Sequence, residues 1–539
     1  MRIRRFFIVN IILERNVKMD SFINLITQAN DAVNGVVWGL FGILLLVFTG
    51  IIMTCLTKFF QVTHFAHWIK NTIGSIFHKN ISSHSKEKES ISQFQALCTA
   101  LAATVGVGNI AGVATAIVSG GPGAIFWMWV AAFFGMMTNY SENVLGIYYR
   151  RKNEHGEWTG GAMYYLQDGL GSKKYCKEIG RVLSILFSCF AVLASFGIGN
   201  MGQINTIATN ISSAFKINAL QSVKIGGTDL YMIIIGLVIM ALAGLVIVGG
   251  IKRIGSVTEK IVPFMVVFYI VGALVIVCYH YQNIIPAFKS IFQFAFGVPA
   301  IAGGAAGIVV KEVVTWGFKR GVFSNEAGLG SSVMVHSASN VKEPVRQGMW
   351  GIFEVFADTI IICTLTALVV LTSGLVDLGT GRMLTDVADS VLVSNAFKQT
   401  FTEIGGKGFG EFGGGFIAVA ILFFAFSTVL GWSYYGTKSW EYLFGTKSTM
   451  IYKVVFVLMI ICGATMSLDL AWDISDTFNG LMMMPNLIGV LTLSGLVMKI
   501  TKNYVDRKLK NKKDVEPMLS AFDDIQAEQL QKMKDDGEY

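Results

Sequence analysis

Nine consecutive residues, Ala102-Ala103-Thr104-Val105-Gly106-Val107-Gly108-Asn109-Ile110, sit inside an apolar run and pair two glycines with a hydroxyl and an amide. A second stretch, Phe296-Gly297-Val298-Pro299-Ala300-Ile301-Ala302-Gly303-Gly304-Ala305-Ala306-Gly307, interrupts another such run. Inside a membrane a helix breaks only where its freed peptide groups find protein, ion or substrate partners. Interrupted apolar segments are therefore the best sequence pointers to a transport site. An unwound stretch offers two chemistries together. Bare N–H groups, helped by a half-helix dipole, hold a carboxylate. Bare carbonyls and hydroxyls hold a hard cation such as Na⁺. A zwitterionic amino acid with a companion cation suits a site that offers both. The competing reading is that these glycines only let helices approach closely. Two interruptions with Thr104 and Asn109 beside one of them favour a site. The run Gly106 to Ala111 also fits GxGxxA spacing, but no strand–helix–strand unit surrounds it, so that match is a decoy.

Acidic residues in apolar runs are the other chemistry-bearing feature, because a charge at mid-bilayer is costly. Glu142, Glu312, Glu354, Asp358, Asp473 and Asp476 qualify. Each is a candidate proton relay, a gating partner for Lys311, Lys319 or Arg320, or half of a structural pair near an interface. Glu354 and Asp358 are four apart, on one helical face. Glu142 falls near the cytoplasmic end of its span, and Glu326 in a cytoplasmic stretch where it caps or gates. His336 and Ser337 are adjacent, but no membrane-embedded GxSG nucleophile accompanies them, which disfavours an enzyme. A channel would need a continuous polar pore or repeated filter loops, and neither appears. The seven cysteines form no CxxC pair, so neither a disulfide framework nor a metal site is expected.

The elements that must position these residues are membrane helices. Of the 539 residues only 14% are charged and 53% are hydrophobic, with a mean hydropathy of +0.58. That is too few charges to coat a soluble protein of this size, where roughly 25% is usual. Runs of about 20 apolar residues, the length that crosses a bilayer, fall near 34–57, 93–118, 122–149, 182–211, 229–249, 254–281, 299–320, 348–373, 413–437, 450–467 and 471–498. Every second connection is basic: 57–92, 150–181, 250–253, 319–346, the surroundings of Lys438 to Lys453, and the tail from Lys499. The alternate connections are basic-poor. By the positive-inside rule the segment after Met19 lies outside and the C-terminus lies in the cytoplasm. The basic residues, net charge +8, thus belong to membrane loops rather than to a nucleic-acid surface. Met1–Lys18 resembles a short signal sequence without a small-residue cleavage site, and Met19 is an alternative start.

The two interruptions sit five spans apart. Five is odd, so the second set of helices enters the bilayer from the opposite face, the arithmetic of an inverted repeat. The expected architecture is an all-α integral membrane protein with about eleven transmembrane helices. It comprises a 1–33 extension, an extra helix at 34–57, a cytoplasmic loop at 58–92, five-helix repeats at 93–281 and 282–498, and a solvated cytoplasmic tail at 499–539.

At these residues the chain resembles the alanine/glycine:cation symporter family, also called sodium:alanine symporters. The matching text is FQALCTALAATVGVGNIAGVATAI (Phe94 to Ile117), GGPGAIFWMWVAAFFGM (Gly120 to Met136), TGGAMYYL (Thr159 to Leu166), GGAAG (Gly303 to Gly307) and RGVFSNEAGLGSS (Arg320 to Ser332). The likeness runs from about residue 30 to 500. It departs in the N-terminal extension and in the 57–92 and 374–412 loops. The resemblance implies a leucine-transporter-like fold and Na⁺-coupled import of a small neutral amino acid such as alanine or glycine. The carboxylate of the substrate would meet peptide N–H groups near Val107 and Gly108, beside Thr104 and Asn109, and would be hydrogen-bonded by Gln203. Gly303, Gly304 and Ala305 would face its amine and side chain, and Trp432 would close over its aliphatic part. Sodium would take carbonyls of Ala102, Val105 and Phe424 with the hydroxyls of Ser427 and Thr428. The family often has a bulky residue where this chain has Ala305, which enlarges the pocket and leaves strict alanine or glycine selectivity open. A proton-coupled or broader neutral amino-acid transporter, for serine or glutamine, is the alternative. No cofactor is expected beyond Na⁺ as the coupling ion, and the oligomeric state is left open, a monomer among the options.

Overall fold

The computed structural model describes residues 24–76, 90–215, 223–225, 228–296, 306–385, 389–465 and 469–538. Helices carry most of them: α1 (Asn24–Leu56), α2 (Gln93–Thr104), α3 (Ala111–Gly120), α4 (Ala124–Tyr148), α5 (Lys177–Phe196), α6 (Leu230–Ile247), α7 (Gly250–Tyr279), α8 (Ile284–Ala295), α9 (Ala306–Asn325), α10 (Pro344–Thr372), α11 (Asp389–Gly405), α12 (Lys407–Phe444), α13 (Thr449–Thr465), α14 (Asp469–Thr492), α15 (Ser494–Lys508) and α16 (Asp523–Asp535). The described strands are two-residue pairs, among them β1 (Arg151–Lys152) against β2 (Trp158–Thr159).

Among the described residues seven helices are long and apolar enough to cross a membrane, and an eighth if Asp473–Thr492 and Ser494–Lys508, bent by 59°, form one span. The other apolar runs take different forms for physical reasons. Run 93–118 is split into α2 and α3 by non-helical Val105 and Gly106. The described part of run 299–320 lies in α9, which carries Lys311, Glu312, Lys319 and Arg320. Run 122–149 is α4, whose second half is buried on every side.

Polarity is distributed in the reverse of a soluble protein. Leu237, Val238, Leu242 and Leu245 of α6, and Val267, Val271 and Leu274 of α7, are exposed. So much outward apolar surface needs hydrocarbon around it. Asn109, Asn139, Asn143, His336, Glu354 and Asp358 are buried instead. This is a multi-pass membrane protein whose largely apolar interior also holds polar and acidic side chains.

Two connections differ from expectation. The 374–412 stretch is largely the helix α11, folded onto α12 and α3. The tail is not simply solvated: α15 continues to Lys508, and α16 docks on the bundle. Ala521 N–H donates to the Tyr148 carbonyl at the end of α4 (2.9 Å), and Met533 is buried. Its apolar face supplies the reason, one that a charge-run reading overlooks.

Candidate functional site

The first interruption is built from local sequence. Val105 N–H still bonds Leu101, ending α2. The next donor, Gly106 N–H, is taken by the side-chain Oδ1 of Asn109 (2.9 Å). That capture closes a 3₁₀ turn over Val107–Asn109 and frees the Ala102 carbonyl from its place in the helical ladder. The N–H groups of Val107 and Gly108 head the new turn, where their own helix offers no acceptor. Gly106 is required here, because a Cβ would collide with Thr428 Oγ1. On α12, Gly431 plays the reciprocal part: a Cβ there would stand 2.7 Å from that of Ala103. These glycines let α2 and α12 touch.

The touching brings oxygens together. Ser427 Oγ lies 3.3 Å from the Ala102 carbonyl and 2.9 Å from that of Phe424, and Thr428 Oγ1 bonds Phe424 O at 3.0 Å. Val105 is buried beside them at the end of α2. Thr104 spends its hydroxyl on Ala100 O in its own helix (3.2 Å). Gln203 follows a π-helical segment, Gly197–Met201. Its Nε2 donates to Ile198 O (3.0 Å). Its Oε1 is buried without a partner and points toward the space beside Gly106. An acceptor faces the interruption there, whereas a carboxylate would require a donor. Asn109 likewise has no amide group to spare: Nδ2 donates to Asp358 Oδ1 at 2.6 Å.

Gly303, Gly304 and Ala305 lie outside the described residues. The described part of this span is interrupted further on, from Glu326 to Ser332. Here α9 ends at Asn325, and Glu326, Gly328 and Gly330 follow with φ of 55°, 96° and 71°. A non-glycine residue in this left-handed region is strained, and such strain clusters at functional sites. Ala327 packs against Gly135 at mid-length of α4, Gly328 against Leu46 of α1 and Leu487 of α14, and Phe323 and Ser324 against Gly108. The segment thus lies deep in the bundle and faces the first interruption. This corrects the placement of Glu326 in a cytoplasmic stretch. Its composition reads as a loop, but neighbouring helices satisfy its polar groups.

Those neighbours are the other buried acids and their donors. Glu326 accepts from Trp432 Nε1 (2.8 Å) and Ser331 Oγ (2.5 Å). Trp432 therefore reaches the second interruption from α12, one turn past Thr428. Asp358 accepts from Asn109, from Ser324 Oγ (2.8 Å) and from Thr359 Oγ1 (2.8 Å). Asn325 Nδ2 donates to Thr359 Oγ1 (3.0 Å). Asp358 thereby joins both interruptions through one carboxylate. Glu142 accepts from Asn486 Nδ2 (2.5 Å), which also holds the Gly328 carbonyl (2.8 Å), while Tyr165 OH bonds Asn486 Oδ1. Glu354 faces His336 Nε2 at 3.0 Å, and Gln347 donates to the ring's Nδ1 (2.5 Å).

Glu354 and Asp358 do not act as one face. A π-helical segment, Phe356–Cys363, begins between them, and its extra residue turns Asp358 toward Asn109. Such segments mark functional sites. Among the described residues no lysine or arginine pairs with Glu142, Glu326, Glu354 or Asp358. Lys319 pairs instead with Asp476 (2.7 Å), and Glu312 is exposed. The sequence reading missed Ser324, Asn325, Thr359 and Asn486; only the alternating glycines of NEAGLG hinted at them.

With this geometry in hand, the comparisons with known proteins are specific. A family model described as the sodium:alanine symporter family matches residues 23–518. The sodium/alanine symporter AgcS of Methanococcus maripaludis is 44% identical over 88% of this chain and 96% of its own length. The putative sodium/proton-dependent alanine carrier protein YrbD of Bacillus subtilis is 33% identical, covering 88% and 92%. The probable sodium/glutamine symporter GlnT of the same organism is 34% identical, covering 89% and 91%. The chain belongs to the sodium:alanine symporter family.

Proposed function

We propose that this protein couples the inward movement of Na⁺ to the import of a small neutral amino acid, alanine or glycine first, by alternating access. The observation that carries the reading is the meeting of α2 and α12. The carbonyl freed at Ala102, the Phe424 carbonyl and the hydroxyls of Ser427 and Thr428 share one buried place, a set of oxygens that suits a hard cation. The substrate lies beside it, its carboxylate at the Val107 and Gly108 N–H groups. With Nε2 engaged by Ile198, Gln203 Oε1 accepts from the ammonium. Sodium binding joins α2 to α12, and only the doubly loaded form rocks inward. The five-plus-five inverted repeat, the outward N-terminus and the cytoplasmic C-terminus belong to the same reading. The names of the relatives support the coupling ion and the cargo class.

Proton coupling is the second reading, favoured by four buried carboxylates that pair with no lysine or arginine among the described residues, one of them beside His336, and by the name of one relative. Uptake of labelled alanine into proteoliposomes separates the two. Accumulation driven by an imposed Na⁺ gradient is expected. Equal accumulation driven by a proton gradient without Na⁺ defeats the sodium assignment. Competition by glycine, serine and glutamine ranks the substrates.

A further inference from the structure

A separate cavity of about 240 Å³ opens at the end of the bundle that carries the basic loops, bounded by the β1–β2 connection, the start of α7, the last turns of α12 and the start of α13. It is far larger than the roughly 10–15 Å³ that one water needs. Two of its charges cancel. Lys438 Nζ and Glu441 Oε2 are 2.9 Å apart and both nearly buried. Two others, half-buried Lys453 and half-buried Glu157, have no ion-pair partner among the described residues, although they act on each other electrostatically. Asn153 Nδ2 donates to Glu157 at 3.5 Å. Tyr434 lines the same space, and its buried hydroxyl has no hydrogen-bond partner among the described residues.

The position of the cavity is as informative as its lining. Ser427, Gly431, Tyr434, Lys438 and Glu441 recur at helical spacing and share one face of α12. Tyr434 lies about 10 Å along the axis from Ser427 at 1.5 Å per residue. The contact of Gly431 with Ala103 separates the two places. A metal ion here would leave Lys453 unmatched, and a phosphate would meet the charge of Glu157. A zwitterion answers both, with a hydroxyl to spare.

We infer that this cavity is a second amino-acid site on the exit side of the transporter, weaker than the first. Lys453 and Tyr434 take the carboxylate, and Glu157 takes the ammonium. The inference rests on the amino-acid reading above.

Equilibrium binding of tritiated alanine to the purified full chain in Na⁺ tests it. Two classes of binding are expected. Lys453→Met and Glu157→Gln should each weaken the looser class at least tenfold and leave the tighter one unchanged; Thr428→Ala should do the converse. Glu157 lies on the β1–β2 connection, outside the long helices, so its variant keeps the test open if Lys453→Met fails to fold. One class in the wild type, with Na⁺-driven uptake intact, overturns the second site alone, as does a looser class that survives both substitutions. Displacement of that class by inorganic phosphate would make it an anion site and also overturn the inference. Absence of Na⁺-driven alanine uptake would remove the amino-acid reading and this inference with it.

Discussion

The interruptions at 105–110 and at 326–332 lie close together but are built in opposite ways. The first is made by omission within a few residues. Gly106 leaves room for Thr428, and Asn109, three residues on, caps its N–H. The second is made by attachment. Ser324 and Asn325 are held by residues 34 positions away, Glu326 by Trp432 at 106, and Gly328 by Asn486 at 158. A break that carries its own cap can be read from a short window. A break held open by distant side chains looks like an ordinary polar loop until the helices are assembled. Asp358 is the element common to both, reached by Asn109 from one side and by Ser324 from the other.

The sharpest way to break the comparison is at the residue whose absence of a side chain makes the first interruption. Gly106→Val should abolish uptake, because its Cβ has no place beside Thr428. Gly112→Ala meets nothing within 4 Å and should transport as the wild type does. Equal loss in both, at equal melting temperature in detergent, would mean that glycine serves general flexibility there and not this contact.

Next comes the shared carboxylate. Asp358→Asn leaves an acceptor for Asn109 but not for both Ser324 and Thr359. Hydrogen bonds to a charged group are worth about 1.5–3 kcal/mol each, so uptake should fall roughly tenfold to a hundredfold. If Asp358 joins the interruptions, both the Na⁺ and the alanine half-saturation concentrations shift. A change confined to one of them would show that the carboxylate serves a single break.

Trp432→Phe probes the second interruption alone. It keeps an aromatic ring packed against Gly199 of the π-helical segment but removes the N–H that Glu326 accepts. A loss of about tenfold in the alanine half-saturation concentration is expected, near the lower end for a charge-assisted bond. The Na⁺ requirement, which we propose is set at Ala102, Phe424, Ser427 and Thr428, should stay within about twofold of wild type. A Na⁺ shift as large as the alanine shift would show that the two breaks are not separable.

These contrasts mark what was legible in the sequence. Hydropathy and loop charge located each apolar run, since 20-residue stretches and basic links are local quantities. The oxygens on α2 and α12 were named only through the family resemblance, not by any local property of α12. The interruption at 326–332 was not legible. NEAGLG at 325–330 holds two glycines in six residues, and no local property tells that it lies close to Gly108. That is decided by packing: Gly135, Leu46 and Leu487 receive the segment, and a π-helical turn aims Asp358 at it. The docked tail escaped notice for a similar cause, because its anchor at Tyr148 lies at the far end of another helix.

The smallest effect concerns an acid outside the site and tests whether burial, not acidity, distinguishes the carboxylates at the second interruption. Glu528 of α16 stands 3.0 Å from Lys152 and 3.1 Å from Lys532, with about a third of each side chain exposed. Burial pushes its carboxyl up, but the hydrogen bonds from the two lysines outweigh that and hold it below its ordinary value. Its contribution is therefore complete above the unfolded value of about 4.3 and is lost only as pH falls through the lowered folded value. Exposed pairs of this kind contribute about 0–1 kcal/mol, while buried Met533 and the Ala521–Tyr148 bond keep α16 docked without it. Glu528→Gln should leave uptake within about 1.5-fold of wild type near neutral pH, and tryptic cleavage after Lys532 should not accelerate. Faster cleavage together with a transport defect would mean that the charge on the tail is coupled to the helices that carry the interruptions, and would remove the contrast between the two kinds of acid.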